Sequence, residues 1–270
     1  IPTLVKFFGT RSARELVESK GQVDLIAIKN VLAHVPDIND FVSGLKILLK
    51  SEGVVTIEFP HLMSIMAFNQ FDTIYHEHFS YLSFLAVKNV FARHGMRLFD
   101  VEQLPTHGGS LRVYACHSDA RTREETPAVD LMLSKERTNG LDRIDAYTSF
   151  QKQVVETKNS LLEFLIGAKR QNKKIVGYGA PAKGNTLLNY CGVRNDCIDF
   201  TVDRSPHKQG MLLPGSRIPI REPEAIRAAK PDYVLILPWN IKEEVMDQMS
   251  YIRKWGGKFV VPIPSTQVLD

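Results

Sequence analysis

The chain has 270 residues, room for two domains of ordinary size, and its 44% hydrophobic and 24% charged residues are the balance of a folded globular protein. That balance, with apolar runs no longer than a strand, argues against a disordered chain and against a membrane span. A net charge of +4 without Lys/Arg clusters interleaved with aromatics argues against nucleic acid, and three cysteines (Cys116, Cys191, Cys197) with no CxxC pair point to free thiols in a reducing, cytoplasmic setting.

In chain order, a helix-like stretch over residues 12–18 precedes an apolar run at 24–28 that reads as a buried strand. Phe41, Leu45, Leu48 and Leu49 then share one helical face, with Asn39 or Asp40 available as the cap. Gly53 opens the next strand and Pro60 closes it. Strands alternating with helices in this way predict a parallel sheet. Two further strands, near 97–101 and 110–116, have no helix between them, so one of them is expected to run antiparallel at the sheet edge. Residues 121–138 are polar and read as a solvated connection, and a long apolar stripe over 142–170 predicts a linking helix. From residue 174 the α/β rhythm restarts, with strands near 175–178, 198–202, 233–237 and 259–263 and helices at 181–190, 223–229 and 242–255. The fold class is therefore α/β: a partial Rossmann-like sheet in residues 1–120, a connection and long helix in 121–172, and a second small, four-stranded Rossmann-like domain in 173–270.

Four motifs carry chemistry. Asn30 and His34 follow the first strand, and Glu58 and His61 end the next, where open parallel sheets meet their ligands. Capping and surface placement would explain them equally well. Tyr75-His76-Glu77-His78-Phe79-Ser80-Tyr81 sets a histidine beside a carboxylate, the pattern of a positioned general base, although polar caps at a helix start would also look so. Seven of the eight histidines fall between His34 and His117, yet none are spaced i, i+4 and no HExxH occurs, so no metal site is expected. His107-Gly108-Gly109 is either a close-approach loop or a plain turn. Finally, residues 177–186 (GYGAPAKGNT) form a strand-to-helix turn able to hold an anion, with the wrong glycine spacing for a dinucleotide fingerprint or a Walker A loop. Asp203 closes the following strand, where an acid can meet a ribose hydroxyl.

The blocks at 30–36, 70–81, 104–112 and 177–186, in this order, make the chain resemble the S-adenosylmethionine-dependent C-methyltransferases that act on nucleotide-linked deoxysugars. The resemblance implies His78 as catalytic base with Glu77 and Tyr75 as partners, and Asn30, His34 and Glu58 around S-adenosylmethionine. It further implies a nucleotide-sugar substrate met by His61, His107, Lys183, Asn185, Thr186 and Asp203. Members of that family begin with a zinc-binding domain and the first half of the methyltransferase Rossmann domain. The present residues resemble the later two-thirds of such a protein, so zinc is expected only in the preceding part. A monomer is expected. A non-catalytic nucleotide or nucleotide-sugar binding module is the alternative.

Overall fold

The computed structural model describes residues 2–270; Ile1, the first residue of the opening 1–8 stretch, lies outside them. Two compact units result: the chain up to Ile65 together with His76–Thr148, and Met66–Tyr75 together with Ser149–Asp270.

In the first unit, helix α1 (Thr10–Lys20) leads to strand β1 (Val23–Lys29), a 3-10 turn (Leu32–His34), helix α2 (Ile38–Leu48) and strand β2 (Leu49–Pro60). Asp37, rather than Asn39 or Asp40, caps α2: its carboxylate accepts from the amides of Asn39 and Asp40 at 3.0 Å each. Helix α3 (Leu62–Ala67) comes next, then α4 (Phe84–Arg93), β3 (Met96–Leu104), a turn at Thr106–Gly108, β4 (Ser110–His117) and α5 (Pro127–Thr138). The strand order is β1-β2-β4-β3, with β1 and β2 parallel and β4 antiparallel to both its neighbours. An antiparallel strand is present as expected, but it does not sit at the edge. The tight turn after β3 returns β4 between β2 and β3, so β3 takes the edge. Strand β1 is not buried either. It has one neighbour, and Leu25 is 60% exposed. Alternation along β2 puts Val55, Ile57 and Phe59 into a core shared with Phe41, Leu45, Phe84 and Phe91.

Residues 127–138, expected as solvated connection, form helix α5. Pro127 occupies its first turn, and Val129 and Met132 join the same core. Helix α6 (Ile144–Arg170) comes after it.

The second unit continues with β5 (Ile175–Tyr178), α7 (Ala182–Cys191), β6 (Thr201–Val202), β7 (Ile220–Arg221), α8 (Ala225–Ala229), β8 (Tyr233–Ile236), α9 (Lys242–Gln248), β9 (Lys258–Val261) and β10 (Gln267–Leu269). The sheet has six strands rather than four, in the order β10-β9-β8-β5-β6-β7, parallel except for β10. The two extra strands, β7 and β10, span two and three residues, too short to leave a periodic signal. The expected helix at 242–255 is α9 followed by a 3-10 segment, Ser250–Trp255. Leu161, Leu165, Val176, Leu235 and Phe259 lie in this unit's core, together with Phe71 from the Met66–Tyr75 segment.

Candidate functional site

In the first unit the candidate residues gather at the carboxyl ends of β1 and β2. Asn30 takes a left-handed backbone (φ 53°) and its amide donates to Glu58 O at 2.9 Å. Its Nδ2 faces His107 Nε2 at 2.7 Å. An amide nitrogen only donates, so His107 accepts there and carries its proton on Nδ1. Asn30 Oδ1 is buried without a partner, an acceptor still to be satisfied.

Glu58 is 3% exposed and already engaged: Oε1 accepts from Thr106 Oγ1 at 2.9 Å and Oε2 from Arg112 Nη2 at 3.2 Å. Burial pushes its pKa up, but those hydrogen bonds and the charges of Lys29 and Arg112 outweigh burial, and the carboxyl titrates below its ordinary value. Glu58 thus fastens the His107 turn to β2.

The histidine loop is built on the 3-10 turn. Ala33 O accepts from the amides of Phe79 (2.8 Å) and Ser80 (3.2 Å), and His34 Nδ1 meets Glu77 O at 2.8 Å. A carbonyl only accepts, so His34 donates through Nδ1. The rings of His34 and His78 lie 4.7 Å apart between centroids, and His78 packs edge-on against Tyr81 at 5.9 Å. The Glu77 side chain is exposed; it is the main-chain carbonyl of this residue that holds His34. Other histidines are framework: His94 bridges Ser43 and Asn39, and His117 holds Leu49 O. His61 is fully buried against Glu136, away from the solvent a substrate would arrive through. Tyr75 is half-buried on the segment that belongs to the second unit.

In the second unit, β6 and β8 leave β5 on opposite sides, the arrangement that opens a crevice at the strands' carboxyl ends. A cleft of about 200 Å³ lies there, lined by Tyr178, Asp203, Arg204, Lys208, Glu244 and Gln248 among others. Asp203 shapes it: Oδ2 accepts from the Ala180 amide and Oδ1 from the Ser205 amide, both at 2.8 Å. Lys208 Nζ donates to Ala180 O at 3.0 Å and lies 3.6 Å from Asp203.

Lys183 turns away from this cleft. Its ammonium sits 4.3 Å from the centroid of the Trp239 ring and donates to Asn240 Oδ1. Burial lowers its pKa, against the raising pull of Asp72. Asp72 is fully buried, with Oδ2 accepting from Trp239 Nε1 at 2.7 Å and Oδ1 unpartnered. Burial raises its pKa to about 7, against the lowering effects of Trp239 and Lys183. Asn185 has a buried, unpartnered Oδ1, and Thr186 Oγ1 donates back to Ala182 O at 3.2 Å. Of the four residues expected at phosphate and nucleoside, Asp203 alone lines this cleft. Arg204 and Lys208 were missed; the available signal was a pair of basic residues just past an acid-ended strand. Among the described residues there is no group of three or more metal-ligating side chains, and no helix is long and apolar enough to cross a membrane.

The chain is similar to several methyltransferases. It is 38% identical to the C-methyltransferase NovU of Streptomyces niveus, over all 270 residues of this chain and 64% of that protein, so it spans somewhat less than two thirds of this relative. Solved structures give more distant likenesses. A SAM-dependent methyltransferase from Anabaena variabilis is 14% identical (TM-score 0.34, covering 43% of this chain and 57% of that one). The magnesium protoporphyrin IX methyltransferase of Synechocystis is 12% identical (TM-score 0.29, covering 36% and 46%). The C-methyltransferase C-terminal domain model matches residues 105–264, more than half of the chain. By that match the chain belongs to the C-methyltransferase family.

Proposed function

We propose that the protein containing this chain moves a methyl group from S-adenosylmethionine to a carbon of a keto-deoxysugar carried on a nucleoside diphosphate. The observation that carries this reading is the His34–His78 pair, held by main-chain bonds at the end of β1 beside the Asn30–His107 contact.

Carbon methylation needs the proton beside the keto group removed, leaving an enolate whose carbon attacks the methyl in line. His78 is the base. Glu77 would stabilise the imidazolium that results, and Tyr75 would donate to the enolate oxygen. The methyl donor, when bound, supplies an electrophilic methyl on a sulfonium. Asn30 fits a contact to it, because its buried Oδ1 lacks a donor, and His34 follows on the turn after β1. Glu58 does not fit a direct contact, since both its oxygens are engaged by Thr106 and Arg112. In the second unit Arg204 and Lys208 suit the diphosphate, with Asp203 holding the walls of their cleft. The same reading takes the enzyme as a cytoplasmic monomer with free thiols, its zinc outside these residues.

The test is solvent-deuterium exchange at the substrate carbon, measured in the full-length protein without methyl donor. Wild type should exchange, and His78→Gln should slow exchange by about 10² to 10⁴ while leaving substrate binding nearly intact. Exchange that survives His78→Gln unchanged removes His78 as the base. No exchange in wild type favours the binding module.

A further inference from the structure

We infer that Glu136 and His61 form a buried positioning pair that fixes the three loops on which the proposed chemistry stands; the inference rests on that chemistry being located in those loops.

Neither residue touches the open surface: Glu136 is 1% exposed and His61 0%. A lone buried carboxylate is costly, so its partners define what it does. His61 Nε2 lies 2.7 Å from Glu136 Oε1, and the amides of Phe84 (2.5 Å) and Leu85 (2.9 Å) donate to the same carboxylate. A carboxylate accepts only, so His61 donates to it through Nε2, while its buried Nδ1 has no partner. Helix α4 opens with amides that its own turn cannot satisfy; Ser83 Oγ takes that of Ala86, and Glu136 takes the two before it. The cap for α4 is therefore shared between its own Ser83 and a residue of another helix, α5.

The position of this pair gives it a role beyond the helix. His61 N donates to Gly109 O at 3.0 Å, and Leu62 N donates to Leu82 O at 3.0 Å. His61 and Leu82 form a bridge between otherwise unpaired strands of chain. The side-chain contact to Glu136 and these main-chain bonds together join the end of β2, the segment leaving the histidine loop and the turn before β4. Glu58, the His78–Tyr81 pair and His107 each lie a few residues upstream of those three junctions. Reacting groups displaced by about 1 Å can lose on the order of 10² in rate. Loosening the pair should therefore reach the chemistry without touching any ligand.

The test uses the full-length enzyme with Glu136→Gln, His61→Leu and His61→Gln. Glu136→Gln turns an amide donor toward donors, and His61→Leu removes the bond; each should lower kcat per folded molecule by about tenfold or more while KM changes little. The ring resonances of His34 and His78 should shift in both. His61→Gln keeps an N–H for Glu136 and should lose less than His61→Leu. A purely structural pair would lower the melting temperature alone: folded His61→Leu with wild-type kcat and wild-type His34 and His78 resonances overturns the inference. Should Glu136→Gln fail to fold, the two His61 variants decide it. Failure of His78 as base shows in the exchange experiment, whereas failure of the positioning pair shows in the resonances.

Discussion

Glu58 and Asp72 are both buried carboxylates, and their surroundings drive them in opposite directions. Glu58 accepts bonds from Thr106 and Arg112 and is held below its ordinary value of 4.5. Its folded form binds the proton less tightly than the unfolded chain, so its contribution to stability is present above about pH 4.5 and lost as pH falls below it. Glu58→Gln should cost about 1–3 kcal/mol near neutrality and much less at pH 3, read from urea midpoints at the two pH values. Asp72 behaves in reverse. Raised from 3.8 to about 7, it favours the fold most below pH 4 and progressively less as pH climbs through 7. Asp72→Asn should therefore be more stable relative to wild type at pH 8 than at pH 5, and a difference in melting temperature that ignores pH would refute the assignment. At this scale the sequence told half the story. Asn30 and His34 stand out as polar groups just past a strand, and His78 as a histidine beside a carboxylate; the structure does bring Asn30 to His107 and His34 to His78. Glu136 could not be seen, because its partner His61 is 75 positions away and nothing in a polar helix marks one acid as buried. Lys183 misled for a related reason: a loop lysine suits phosphate as well as it suits an aromatic face, and only packing shows which.

The strand–turn–helix of the second unit obeys a few local rules. Gly179 sits at φ 88°, and a Cβ there would lie 2.6 Å from Pro238 Cδ, a ring atom with no rotamer to move. Gly179→Ala should destabilise the fold by about 2 kcal/mol or more and close part of the cleft that Gly179 lines. Calorimetry would show it, and a variant as stable as wild type would mean that the turn relaxes freely. Elements of this kind were legible because their signals are short-range: glycine at the turn, apolar runs in β5 and β8, a proline before α7. Elements that depend on distant partners were not. Helix α5 follows a polar stretch and mixes its apolar residues with charge, and only the packing of Val129 and Met132 on a core built mainly by earlier residues marks its buried face. Strands β7 and β10 exist only as additions to edges already formed.

Two separate cores, one per unit, mean that ligands should register locally. A nucleoside diphosphate should protect amides around 178–182 and 203–209 from hydrogen exchange, leaving β1 and β2 unaffected. Calorimetric titration of this chain should also find the diphosphate bound more tightly than S-adenosylmethionine, since the cleft with Arg204 and Lys208 is whole within one unit. Tighter binding of the methyl donor would reverse the assignment of roles to the units.

The route of the chain has a further consequence. Met66–Tyr75 gives the second unit Phe71 for its core, Asp72 for Trp239 Nε1, and Asn69, whose side-chain nitrogen donates to Thr157 Oγ1 and Gln153 O. Yet the chain on both sides of this segment belongs to the first unit. The second unit is therefore not a cassette that one genetic cut could release. A reading frame starting at residue 149 would inherit its sheet without ten of its residues, and with an indole proton left unanswered. Recombination that swaps this unit between enzymes has to carry a short upstream passage with it, and the unit of inheritance here is larger than the unit of folding.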